Sequence, residues 1–186
     1  MRTDEELMAA HVAGAKGAFD ELFARYAPLL LRVMTRQLGS VDDARDVVQQ
    51  TFLQVHRARL DFDASARFRP WLFTIAFNLC RQLGRTRKRR RENPSDELAE
   101  ADLRAVPVDS DAQQDVRAAL AELPVDYRDA IVLHWYEGLS FEEAAAVLGA
   151  SATALKLRAH RGYKLLREAL ADRNPELPPD IGKEEK

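Results

Sequence analysis

The chain has 186 residues, 46% of them hydrophobic, and a formal net charge of −2, which fits one globular domain or two small ones. Its single cysteine, Cys80, excludes an internal disulfide framework, and the four histidines lie far apart in sequence, none at metal-ligand spacing to another. No apolar run approaches a membrane span and MRTDEELMAA is no signal peptide, so the expectation is a soluble, cytoplasmic protein with no cofactor.

Asp4 to Ala13 reads as a short helix broken by Gly14 and Gly17. Phe19, Leu22, Phe23, Tyr26, Leu29, Leu30, Val33 and Leu38 then recur at helical spacing, with Pro28 as a candidate kink. Ser40 to Asp43 resembles a capping box with Asp in place of Glu. It opens a helix whose apolar positions are Ala44, Val47, Val48, Thr51, Phe52 and Val55. Its other face carries Asp43, Asp46, Gln49 and Gln50, either a solvated surface or one suited to a basic partner protein. Asp61 to Pro70 reads as a loop holding two aromatics and two arginines. The helix that follows is apolar from Trp71 to Leu79 and basic from Arg81 to Arg91, where seven residues are Lys or Arg. Trp71, Phe73 and Phe77 are expected in the core, and Cys80 as a buried inert thiol.

From Glu92 to Asp115 the sign reverses, with eight acids and one arginine, two prolines and no period. This stretch is expected to be an extended or disordered linker. A tether of about twenty residues reaches ~70 Å at ~3.3–3.6 Å per residue. Val116 to Leu123 and Asp126 to His134 then read as helices before Gly138. Ser140 with Glu143 forms a capping box for a short small-residue helix, and Gly149 is placed to end it. Ser151 caps the next helix, whose Leu155, Ala159, Gly162 and Leu166 form one apolar face. Two helices joined by such a turn make a helix-turn-helix. The remaining faces of the second helix carry Lys156, Arg158, His160, Arg161, Lys164 and Arg167, and the segment 151–167 has no acid. That is the charge placement a groove-entering helix requires. A solvated amphipathic helix in an ordinary bundle is the plainer alternative. The prolines from Pro175 to Pro179 end this helix and leave a polar tail. The expectation is an all-α protein of two small helical domains joined by an acidic flexible linker, the second domain containing the helix-turn-helix.

Three segments, from about Phe19 to Leu170, resemble a bacterial RNA polymerase sigma factor of the extracytoplasmic-function (ECF) group of the sigma-70 family. Asp42 to Phe52 (DDARDVVQQTF) resembles the region-two helix that docks on the β′ clamp helices of the polymerase. Phe68 to Asn78 (FRPWLFTIAFN) is similar to the segment that reads and opens the minus-10 element. Leu123-Pro124, Glu137 to Ser140 and Ser151 to Arg161 are similar to region four, which reads the minus-35 element. Where relatives often have Gly-Thr-Val-Lys-Ser-Arg, this chain has Thr153-Ala-Leu-Lys-Leu-Arg158.

The resemblance implies sigma region 2 over 1–91, a linker over 92–115, sigma region 4 over 116–173 and a polar tail over 174–186. Asp43, Asp46, Gln49 and Gln50 would meet core polymerase, with the β flap as a further contact. Thr153, Lys156, Leu157, His160 and Arg161 lie on or near the outward face and would read base edges, whereas Arg158, Lys164 and the Ser151 cap suit phosphates. In the first domain, Phe62, Phe68 and Asn78 would capture an unstacked base. Arg67, Arg69, Arg81, Arg85 and Lys88 would follow the backbone. The implied partners are core RNA polymerase, promoter DNA and an anti-sigma factor, often membrane-bound, in a stress or envelope-signal response; catalysis would belong to the core enzyme. Two other classes stay open: a two-domain helix-turn-helix regulator acting without polymerase, and a helical interaction module.

Overall fold

A computed structural model describes residues 2–92 and 111–173, with side-chain surroundings for 2–86, 115, 116 and 118–171. Helix α1, Asp4–Val12, starts in a reciprocal cap: Glu6 N–H donates to Thr3 Oγ1 at 3.1 Å and Thr3 N–H to Glu6 Oε2 at 2.7 Å. Helix α2, Ala18–Leu38, passes through Pro28 as one element, so the kink expected there does not divide it. Gly39, at φ 68°, closes α2 in a left-handed turn, and Ser40 caps α3, Val41–Arg57.

Helix α4 runs Phe68–Glu92, so the loop expected from Asp61 to Pro70 ends at Arg67. Pro70 lies in the first turn of α4, where a missing N–H breaks no helical bond. The Glu5 carboxylate of α1 accepts from Phe68 N–H at 3.0 Å, and Asp4 accepts from both Arg25 and Tyr26 of α2. These bonds hold α1 against α2 and fix the point where α4 begins. Leu22, Leu30 and Val33 of α2, Phe52 and Val55 of α3, and Phe68, Leu72, Phe73 and Phe77 of α4 fill the core between them.

In the second domain, helix α5 runs Asp111–Glu122. The expected linker therefore stops short of Asp115, because its last residues form the first turn of α5 rather than extended chain. Helix α6, Val125–Ile131, continues into a five-residue π-helical segment, Val132–Tyr136. Helix α7, Phe141–Leu148, and helix α8, Ala152–Arg173, complete the described residues. Ala119, Leu120, Leu123, Ile131, Leu166 and Leu170 form a small core of α5, α6 and α8. Val132, Leu133, Leu139, Ala144, Val147, Leu148 and Leu155 belong instead to the cluster that includes the first domain, because α4 packs against α7 as well as α2 and α3. The two domains are thus packed together. The acids Asp96, Glu97, Glu100 and Asp102, and the tail 174–186, lie outside the described residues.

Candidate nucleic-acid interface

The helix-turn-helix is built by local chemistry. Glu143 N–H donates to Ser140 Oγ at 3.1 Å while Glu143 Oε2 accepts from Ser140 N–H at 2.9 Å. Gly149 sits at φ 64° and ends α7, so the chain reverses without placing a Cβ in the left-handed region. Ser151 Oγ then accepts from Ala154 N–H at 3.1 Å, which starts α8. Leu155, Ala159, Gly162 and Leu166 are buried as one face. A Cβ at Gly162 would lie 3.0 Å from both Tyr127 Cβ and Ile131 Cδ1, so glycine sets how closely α8 approaches α6.

The π-helical segment places the turn that precedes α7. It widens the last turn, so Glu137 N–H bonds Val132 O at 3.0 Å, and Leu139 N–H then closes the end on Leu133 O at 3.1 Å. His134 stacks on Phe141 at 3.7 Å, and its Nδ1 lies 2.7 Å from Leu139 O. An acceptor carbonyl at that distance assigns the proton to Nδ1. Trp135 stacks on Tyr163 of α8 at 4.9 Å. The expected helix up to His134 is therefore present, but its change to π geometry has no sequence signature.

On α8, Ser151, Thr153, Lys156, Leu157, His160, Arg161 and Lys164 are exposed. Lys156 Nζ lies over the Phe141 ring at 5.5 Å, which ties it to the start of α7. Arg158 is half-buried and pairs with Asp126 of α6 at 3.5 Å. Lys164 approaches Glu168 at 3.9 Å.

The expected minus-10 residues are not equally placed. Asn78 and Arg85 are exposed on α4; Lys88 lies on the same helix, its side chain outside the described residues. Phe62 is half-buried against Trp71, with ring centroids 5.0 Å apart. Phe68 has no exposed surface, because it fills the space beside Tyr26 at the start of α4. Base capture by Phe68 is therefore corrected to packing beneath that surface. Trp71 is half-buried and Phe73 and Phe77 are core. Cys80 is half-buried, and burial pushes its thiol up to about 11, which keeps it protonated and unreactive at neutral pH.

Three arginines of the first domain end on carboxylates of the second. Arg67 donates to Glu143 at 3.1 Å, Arg69 to Glu137 at 3.1 Å and Arg81 to Asp129 at 3.3 Å. Asp129 and Glu137 are buried, and burial raises both acids despite the neighbouring arginines, Asp129 to about 6. Sequence reasoning identified the arginines and missed all three acids as their partners, since sequence separation carries no signal for such pairs.

On α3, Asp46, Gln49 and Gln50 are exposed and Asp43 is half-buried near the Ser40 cap. Beside Gln49 lies an open cleft of about 730 Å³ lined by Phe19, Phe23, Val48, Phe52, Leu53 and His56. Phe23, one of the helically spaced apolar residues of α2, is 45% exposed there. Among the described residues there is no cluster of three metal-ligating side chains, and no helix is long and apolar enough to cross a membrane.

Two family models match this chain: Sigma-70 region 2 over residues 22–91 and Sigma-70, region 4 over 113–166. It is 42% identical over 161 residues to the RNA polymerase sigma factor CarQ of Myxococcus xanthus, a span covering 86% of this chain and 92% of that one. It is 33% identical to the ECF RNA polymerase sigma factor SigM of Mycobacterium tuberculosis, covering 91% and 85% of the two chains. The fold matches CnrH in complex with the cytosolic domain of CnrY at a TM-score of 0.70 and 35% identity, over 92% of this chain and 98% of that one. It also matches the sigma factor RpoE of Bartonella quintana, co-crystallised with the anti-sigma factor NepR, at a TM-score of 0.68 and 29% identity, over 82% and 96%. The chain belongs to the sigma-70 family, in its ECF group. It is a sigma factor that directs RNA polymerase to promoters, and sigma factors are transcription initiation factors.

Proposed function

We propose that the two helical groups divide promoter recognition between them. In this reading residues 1–91 act as region 2 and 116–173 as region 4, with 92–115 as the connection. The outward face of α8 enters the major groove of the minus-35 element, with Lys156, Leu157, His160 and Arg161 toward base edges and Thr153 at the entry end. Ser151, Arg158 and Lys164 serve the phosphates. At the minus-10 element, Asn78 and Phe62 offer polar and aromatic surface to an unstacked base, and Arg67, Arg69, Arg81, Arg85 and Lys88 follow its backbone. Asp43, Asp46, Gln49 and Gln50 dock on the β′ clamp helices, and region 4 meets the β flap. The protein works in the cytoplasm, and an anti-sigma factor controls it in a stress or envelope-signal response, as NepR binds RpoE.

The observation that carries this reading is the acid-free segment 151–167, with its basic outward face at the start of α8, in a chain that also presents the acid and amide face of α3. The α3 face favours polymerase docking over a regulator acting alone. The test is promoter-dependent transcription by core RNA polymerase supplied with this chain. Transcription independent of the chain, together with no binding to core enzyme, would leave the DNA-binding regulator or the helical interaction module.

A further inference from the structure

Two histidines that stand 45 residues apart in the chain meet in the first domain. His11 Nε2 of α1 lies 3.3 Å from His56 Nδ1 of α3. Each ring hangs from the last turn of its helix, where the helix dipole favours a cation. Phe19 of α2 lies against both rings, with centroids 4.7 Å from His11 and 5.8 Å from His56, and so restricts how far either can turn.

The spacing fits a shared metal ion. Two imidazole nitrogens bound to one tetrahedral zinc at about 2.0–2.1 Å stand about 3.3–3.4 Å apart. The ring centroids are 5.2 Å apart, closer than a head-on N–H···N pair at this nitrogen separation would place them, so the rings meet at an angle. His56 is exposed and His11 half-buried, so an ion has a path from solvent and water can fill its remaining positions. Among the described residues no group of three metal-ligating side chains forms, so the pair is the whole protein ligand set there. Neutral imidazole suits zinc, copper and nickel, whereas magnesium and calcium take oxygen. Arg59 opposes a second positive charge at this place, but its guanidinium donates to the His56 carbonyl oxygen at 2.7 Å and is held at the helix end.

We propose that His11 Nε2 and His56 Nδ1 form a solvent-accessible site for a divalent transition metal of the zinc class, which staples the last turn of α1 to the last turn of α3. The first turn of α1 is already fixed, through Asp4 to Arg25 and Tyr26 of α2 and through Glu5 to Phe68 of α4. The metal fixes the other end. His56 also lines the cleft beside Gln49, so the ion sits at the edge of the surface proposed for polymerase docking.

The test uses the full chain, freed of metal by chelator and titrated calorimetrically with Zn²⁺ and, for contrast, Mg²⁺. The expected result is one saturable Zn²⁺ per chain in the micromolar range and no uptake of Mg²⁺. Zinc at ten times its dissociation constant should raise the melting temperature by about 3–5 °C. His11→Phe and His56→Phe keep a ring against Phe19 and remove the nitrogen. Loss of even an outer-shell partner typically costs about tenfold or more in metal affinity, so each variant should lose at least that much, and the double variant no more than either single one. Far-UV helicity and the metal-free melting temperature report whether the variants fold. A measurement on the wild type alone does not depend on them: electron spin-echo modulation of the Cu²⁺-loaded chain should show two coordinated imidazoles. No saturable zinc uptake, zinc uptake unchanged in both variants, or a single imidazole on Cu²⁺ would each overturn the site and leave the two rings as a hydrogen-bonded pair.

Discussion

Gly162 of α8 lies against Tyr127 of α6 so closely that an added Cβ would stand 3.2 Å from the Tyr127 carbonyl oxygen as well as 3.0 Å from its Cβ. A backbone oxygen cannot swing aside as a side-chain end can. Gly162→Ala gains helix propensity but forces α8 outward, and the packing cost decides the sign. It should destabilise the second domain by about 1–3 kcal/mol. Chemical denaturation of the full chain measures this, and an unchanged or raised midpoint would show that α8 shifts freely.

Lys156 and Arg158 should lose DNA in different ways. Lys156 is exposed near the entry end of α8, beside Phe141, whereas Arg158 is drawn toward α6 by Asp126. Lys156→Ala should cost about 1–3 kcal/mol on the preferred minus-35 element and flatten preference at one or two base pairs. Arg158→Ala should weaken all duplexes alike and lower the salt slope by about one. Isotherms on matched and scrambled elements at several salt concentrations separate the two. Equal loss for Lys156→Ala on both duplexes would remove it from base reading.

Buried Asp129 makes stability depend on pH in a defined direction. Burial is the largest influence and raises it from 3.8 to about 6; Arg81 and Arg128 oppose the rise and Asp126 adds to it. The folded chain therefore holds this proton more tightly than the unfolded one. Its contribution is fully present below pH 3.8 and lost as pH rises through about 6. Against Asp129→Asn, the wild type should lose relative melting temperature between about pH 4 and about pH 6.5. A constant difference across that range would place the Asp129 titration elsewhere.

The α3 surface gives a third class of result. Asp46 is exposed on a helix whose buried face is already complete, so Asp46→Arg should leave helix content unchanged. It should weaken binding to core polymerase at least tenfold, because the variant presents a cation to a basic partner. Wild-type affinity in a pull-down titration would move the docking site away from this face.

Asn78 is tested by strand opening. It is exposed on α4 above the buried Phe77 and Phe73, so Asn78→Ala removes surface chemistry and not packing. Permanganate reactivity of promoter thymines should fall, and a pre-melted bubble should restore much of the transcription. An equal defect on both templates would indicate a docking fault instead.

Much of the secondary structure was legible because its causes are local. The Ser140 and Glu143 cap, the left-handed Gly149 and the buried face of α8 involve residues within a turn or two of one another. The acid-free segment 151–167 and the amide-rich face of α3 follow from composition and helical period alone. Those patterns, in order, were enough to point to the family.

Tertiary structure decided what depends on distant neighbours. Phe68 looked available in a loop, but α4 begins at Phe68 itself, within the expected loop, with the Glu5 carboxylate accepting from its N–H and the ring carried inward. His11 and His56, 45 residues apart, come within 3.3 Å of each other, and burial first, then His56 and Arg59, lowers His11. The arginines at 67, 69 and 81 meet their carboxylates across 76, 68 and 48 residues. A run of positive charge states that anions will be attracted and not which ones. Packing of α4 on α7 brings three carboxylates to those arginines, and only that packing made them partners.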